Sequence, residues 1–286
     1  MRSSSLRQCQ RRRDEISYAT IIVFVETDGT PRERVRLCGH LATKFNAKLI
    51  GLSARAIRPP ILVGGIFASV SDDIPDIEAR LSEKAKWFEL VLGTDRPNLS
   101  WRSVFDFPVD AVAREARSAD LAVIGPMLVP GDSYCCLNPG EAILKLGRPA
   151  LFVPNDVSSL RAEQVLIAWK DVREARRAVQ DALPMLHEAT RVTIAEVCGS
   201  GDERGVQTRL DDVANYLARH RIKSDPRVIQ HYEGSGAGEL IRLAQEEGAD
   251  LIVAGAYGHS RLGEWAFGGV TRDLLASSPV CCLMSH

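Results

Sequence analysis

The sequence has no apolar run approaching the roughly 20 residues that would cross a bilayer as a helix. It has no excess of charge either: 36 Lys and Arg stand against 37 Asp and Glu, a formal net charge of −1. Without a basic surplus, or basic stretches interleaved with aromatics, composition gives no reason to expect nucleic acid or a membrane as partner. The cysteines, at 9, 38, 135, 136, 198, 281 and 282, include no CxxC spacing. Cys281 and Cys282, adjacent on a strand, point to opposite faces and cannot share a metal. An odd count without a pairing pattern predicts reduced thiols in a cytosolic protein, acting as small core hydrophobes. The six histidines form no metal-ligand spacing. Signatures of catalysis are missing as well: there is no GxxxxGK[ST] phosphate loop, no GxSxG elbow and no HExxH pair.

Residues 1–16 carry Arg2, Arg7, Arg11, Arg12 and Arg13 but no apolar segment, so a secretory signal is not expected. They read as a basic tail without fixed order, the alternative being an arm for a nucleic acid or membrane surface.

What the sequence does have is a repeat. Ser118–Gly125 (SADLAVIG) resembles Gly248–Gly255 (GADLIVAG), with Asp250 standing 130 residues after Asp120. The same offset carries Leu144 onto Leu274, Pro149 onto Pro279 and Ala150–Val153 onto Val280–Leu283. Towards the front of each copy the offset is 144, set by Ile21–Val25 against Val165–Trp169. The first copy therefore holds 14 extra residues, and Ile57–Val70 (IRPPILVGGIFASV) has that length and the Pro and Gly pairs of a loop. Its apolar content suits covering a hydrophobic surface or lining a pocket. The chain thus reads as two units, 17–154 and 164–286, joined by the polar linker 155–163.

Each unit alternates strand and helix. In the second, aliphatic runs predict parallel strands at Gln164–Trp169, Arg191–Val197, Arg227–His231, Leu251–Gly255 and Val280–Met284. Between them, Asp171 with Glu174 has capping-box spacing and opens a helix expected to run to His187. Further helices are expected at Glu203–His220, Ala237–Glu247 and Val270–Ser277. Strands separated by helices imply a parallel sheet with helices on both faces, an α/β fold. The two last strands, Ala150–Val153 and Val280–Leu283, are suited to pack together and make an internal pseudo-dimer.

In such sheets ligands lie beyond the carboxyl ends of strands. There the second unit carries Gly255-x2-Gly258-x9-Gly268–Gly269, followed by Val270 and Thr271. Glycines let main-chain amides approach an anion, and a helix N-terminus favours one. His259 and Arg261 lie inside this loop, where they neutralise phosphate or simply face solvent. A second glycine cluster, Gly234–Gly238, lacks GxGxxG spacing and reads as a turn into a helix.

This pattern, after an apolar strand and in a unit of about 140 residues, resembles the universal stress protein family, in two copies that span nearly the whole chain. The resemblance implies Rossmann-like units of the adenine nucleotide alpha hydrolase-like kind, each a five-stranded parallel sheet flanked by helices. It implies a non-catalytic stress-response regulator with a small nucleotide ligand, ATP or a relative with Mg beside it, and a protein partner of unknown kind. A homodimer is a further expectation. The positions it marks are Lys170, Val197, Gly255, Tyr257, Gly258, Gly268, Gly269, Val270 and Thr271, with His259 and Arg261 inside the loop. The sequence departs from the family pattern at Lys170, which stands where an acid contacts adenine, and at Gly269, which stands where Ser is usual. In the first unit the acid survives as Glu26, but Leu128 and Asn138–Pro139 replace the loop glycines, and that unit is expected to be empty. Two other readings stay open: an interaction protein with a vestigial site, and a very slow ATPase.

Overall fold

A computed structural model of the chain describes residues 17–59, 61–63, 66–68, 74–93, 98–129, 131–199, 201–230, 236–258 and 269–286. The basic tail, with Cys9, lies outside them.

The first unit contains β1 (Thr20–Phe24), α1 (Arg32–Phe45), β2 (Lys48–Ala54), β3 (Ile61–Val63), β4 (Ile66–Ala68) and α2 (Ile74–Leu92). It continues with β5 (Leu99–Val104), α3 (Pro108–Glu115), β6 (Leu121–Ile124), α4 (Pro139–Leu146) and β7 (Ala150–Phe152). The second contains β8 (Gln164–Ala168), α5 (Arg173–Asp181), α6 (Leu183–Leu186), β9 (Arg191–Cys198) and α7 (Glu203–Arg219). It ends with β10 (Ser224–Gln230), α8 (Gly236–Glu247), β11 (Leu251–Gly255), α9 (Gly269–Ser277) and β12 (Cys281–Ser285).

Ten strands form one sheet in the order β10-β9-β8-β11-β12-β7-β6-β1-β2-β5. Read outward from its centre, each half has the same order, so the duplication seen in the residues is a duplication of topology. Within each half every pairing is parallel. The halves join where β12 meets β7 antiparallel, with Cys282 opposite Phe152, Leu283 opposite Leu151 and Met284 opposite Ala150. All six residues are buried. Burying side chains such as Phe152 and Leu283 is worth about 1.5–3 kcal/mol each, so the expected internal pseudo-dimer rests on a hydrophobic seam.

Alternation along the strands divides the core into two faces. Val165, Ile167 and Trp169 pack with α5 and α7 on one face. Leu166 and Ala168 pack with α8 and α9 on the other. The six described cysteines are free and buried in this interior. Burial pushes the Cys38 and Cys282 thiols up to about 12, so they remain neutral and behave as apolar groups. Among the described residues no helix is long and apolar enough to cross a membrane.

Three local expectations are corrected. The helix expected from Asp171 to His187 is two helices, because Pro184 in the first turn of α6 cannot donate to the preceding turn. Its N-cap is Val172, in extended conformation, not Asp171. The Asp171 carboxylate instead takes the Arg176 guanidinium at 2.6 Å, an ion pair that competes with capping. Within Ile57–Val70, expected to be loop, β3 and β4 pair as an antiparallel hairpin; β-branched residues flanking a glycine pair favour that outcome.

Candidate functional site

The chain runs from β8 outward through β9 to β10, then returns to β11 on the other side of β8. Connections leaving β8 and β11 therefore diverge, the arrangement in which open α/β sheets hold ligands beyond the carboxyl ends of the strands. Lys170 is exposed just beyond β8. Val197 is the penultimate residue of β9, the strand on the other side of β8.

Val197, Gly236 and Val270 meet there. A β-carbon on Gly236 would stand 3.7 Å from Val197 Cγ1 and 3.8 Å from Val270 Cγ2. Gly269 opens α9, and among the described residues nothing lies within 4 Å of where its β-carbon would be. Thr271, one turn in, is buried, and its Oγ1 accepts the Tyr257 amide at 3.1 Å. That bond fastens the turn after β11 to the start of α9. Its hydroxyl thus has a structural duty at the position that the resemblance assigned to a ligand. His259, Arg261 and Gly268 lie outside the described residues.

The other two glycines face α5. A β-carbon on Gly255 would come within 2.5 Å of the Ala175 amide nitrogen. One on Gly258 would stand 2.9 Å from Val172 Cγ2 and 3.0 Å from Glu174 Oε2. Both positions thus admit the first turn of a helix to the strand end, and this close packing explains their lack of a side chain. Glu174 is buried and paired with Arg173. Burial acts to raise its carboxyl, but the guanidinium holds it below the ordinary carboxylate range.

Tyr257 has φ of +58°, a left-handed conformation that costs a non-glycine residue about 1–2 kcal/mol. Its hydroxyl reaches the first unit, where a β-carbon on Gly140 would overlap it. Burial raises the Tyr257 hydroxyl above its ordinary value. The ring therefore crosses the seam, away from Val197 and Val270.

The corresponding region of the first unit is filled by its own side chains. Arg34 and Glu26 are each 1% exposed and form an ion pair at 3.4 Å. Arg34 Nη2 also donates to Asn155 Oδ1 at 2.7 Å. The guanidinium occupies the volume beside Gly125, the counterpart of Gly255. At the start of α4, Asn138 Oδ1 accepts the Gly140 amide at 3.0 Å and the Glu141 amide at 3.2 Å. Pro139 has no amide hydrogen to offer. Sequence reasoning caught Pro139 but missed Asn138, although Asn-Pro-Gly-Glu combines a favoured cap with a favoured first helical residue. Arg34 gave no signal, because an arginine at a helix start reads as solvated.

A cavity of about 420 Å³ lies on the opposite face, between α5 and α7, lined by Trp169, Val179, Val213 and Tyr216 among others. Among the described residues the buried Trp169 Nε1 has no hydrogen-bond partner. The sequence gave no hint of this cavity, whose lining comes from residues of separate elements.

The universal stress protein family model matches residues 162–286. No curated protein matches the chain. Among solved structures, a universal stress protein from Archaeoglobus fulgidus DSM 4304 is similar over 93% of this chain and 98% of its own, with 14% identity and a TM-score of 0.69. A putative universal stress protein from Pseudomonas aeruginosa UCBPP-PA14 is similar over 96% of this chain and 94% of its own, with 15% identity and a TM-score of 0.61. At those identities the likeness is one of fold, and it extends across both units. Residues 162–286 match the universal stress protein family model, and the first half of the chain repeats the fold of the second.

Proposed function

We propose that the chain is a non-catalytic stress-response regulator whose second unit holds ATP or a related adenine nucleotide at the start of α9. The observation that carries this reading is the contrast between two aligned helix starts. In α4 the side chain of Asn138 consumes two amides and Pro139 supplies none. In α9 the aligned residues are Gly268 and Gly269, which have no side chain with which to cap the helix. An uncapped N-terminus presents amides and the positive end of the helix dipole to an anion.

The residues present fit part of a nucleotide well. Val197 and Val270 supply apolar walls for a base, and Gly269 leaves room for phosphate oxygens. The base contact differs from the family pattern. Lys170 is a donor only, so it meets a ring nitrogen or a phosphate and cannot accept from an exocyclic amine. Magnesium would accompany the phosphates. The first unit takes no nucleotide in this reading, since Arg34 and Asn138 already occupy the groups that a ligand would use.

Calorimetry with ATP, ADP and AMP tests the reading. Saturable heat is expected with the wild-type chain and its loss with Gly269→Pro, which keeps a favoured residue at the first helical position but removes its amide. No heat with any of the three nucleotides would leave only the interaction-protein reading.

A further inference from the structure

A second cavity, of about 360 Å³, lies at the seam between the units, lined by Leu144, Lys145, Gly147, Arg173, Arg177 and His286. Three of these six residues are Lys or Arg and none is Asp or Glu, in a chain whose formal charge is −1. The cations come from both units: Lys145 from the last turn of α4, Arg173 and Arg177 from α5. Arg177 ties the seam, donating to Gly147 O of the first unit at 2.7 Å and to His286 O at 3.0 Å, and it lies 3.7 Å from Asp181. The His286 ring completes the wall, with Nδ1 3.0 Å from Ala256 O.

Two of the cations keep donors to spare. Lys145 Nζ has three hydrogens and gives one to Asp110 Oδ1 at 2.7 Å. Arg173 uses Nε on Glu174, which leaves the terminal nitrogens of its fork. From these observations we infer that the seam cavity is a binding site for a phosphate polyanion of pyrophosphate size, held between Lys145 of the first unit and Arg173 of the second. A guanidinium fork supplies directed contacts to phosphate oxygens and an ammonium supplies a point charge. Arg177 adds positive potential while keeping the two units in register.

The site is separate from the start of α9 and stands whether or not a nucleotide binds there. The polyanion is either free pyrophosphate or the phosphate tail of a nucleotide. Calorimetry of the full chain with sodium pyrophosphate, at constant ionic strength, provides the test. One saturable site is expected, weakened at least roughly tenfold in Lys145→Gln/Arg173→Gln. Removing the Arg173 guanidinium leaves the buried Glu174 carboxylate without its partner, so the variant is expected to melt below wild type, and circular dichroism at the titration temperature checks that it is folded. Gly269→Pro should leave pyrophosphate binding unchanged, which separates this site from the proposed nucleotide site. ATP competing with pyrophosphate in Gly269→Pro would identify the nucleotide tail as the source, and failure to compete would identify the free anion. Pyrophosphate that gives no saturable heat, or binds the folded double variant as tightly as wild type, would overturn the inference.

Discussion

The guanidinium of Arg34 fills the volume that a side chain on Gly125 would need. The aligned pair in the second unit is Ala175 against Gly255, so Arg-Glu-Arg at the start of α1 has become Arg-Glu-Ala at the start of α5. A guanidinium thus fills the volume beside Gly125, and the main chain of α5 fills the volume beside Gly255. Arg34 and Glu26 are both buried, and breaking such a pair strands a charge at a cost of about 3–5 kcal/mol. Arg34→Met should therefore destabilise by about that amount, and Glu26→Gln beside it should restore much of the loss. Denaturant unfolding of the two single variants and the double variant measures this. Additive effects would show that the pair is not coupled.

Gly255 and Gly258 both face α5, but what they face differs. The neighbour of Gly255 is main chain, which cannot step aside, whereas Gly258 faces the side chains of Val172 and Glu174. Gly255→Ala should cost about 1–3 kcal/mol through overpacking, and Gly258→Ala should cost less. A larger drop in melting temperature for Gly258→Ala would reverse this ranking and refute the packing account.

Burial pushes the Asp181 carboxyl above the ordinary Asp value, although the Ser285 hydroxyl, donating at 2.8 Å, and Arg177 act to lower it. The folded state therefore binds this proton more tightly than the unfolded chain does. The stability gained from protonation is complete below the unfolded value and is lost as pH rises through the raised folded value. At neutral pH the ionised carboxylate is a net cost. Asp181→Asn should melt higher than wild type at pH 7, and the gap should close as pH falls below the ordinary Asp value. A lower melting temperature at pH 7 would mean that attraction to Arg177 outweighs burial.

The thiols of Cys38, Cys135, Cys136, Cys198, Cys281 and Cys282 are buried. Burial raises those of Cys38, Cys135, Cys198, Cys281 and Cys282, to about 12 for Cys38, Cys135 and Cys282. A thiol reacts as its thiolate and only where reagent reaches it, so maleimide at pH 7 should leave these six buried thiols unmodified until denaturant is added. Peptide mapping reads the result, and rapid labelling of any of them in the folded chain would contradict it.

Much of the fold was legible because buried parallel strands are written as aliphatic runs. Leu251–Gly255 falls where the run LIVAG places it, and the 130-residue offset located its partner Leu121–Ile124. Errors arose where a local signal met a stronger local competitor. Asp171 had the spacing of a cap, but Arg176 lay within reach of the same carboxylate. Two glycines of the loop have a packing role that the sequence did not show. Gly255 and Gly258 make room for a helix, and Gly269 has no described atom within 4 Å of where its β-carbon would be. Arg34 could not be read at all, since nothing in a sequence distinguishes an arginine that will be buried against a glycine from one that faces water.

An anionic ligand is expected at the start of α9 and not at the start of α4. A crystal structure of the chain grown with a non-hydrolysable ATP analogue tests it most directly. The account predicts phosphate density beside the amides of Gly269 and Val270, with the base against Val197, and none beside Pro139. Analogue density in the first unit, or none at the start of α9 at a concentration that saturates calorimetric binding, would contradict it.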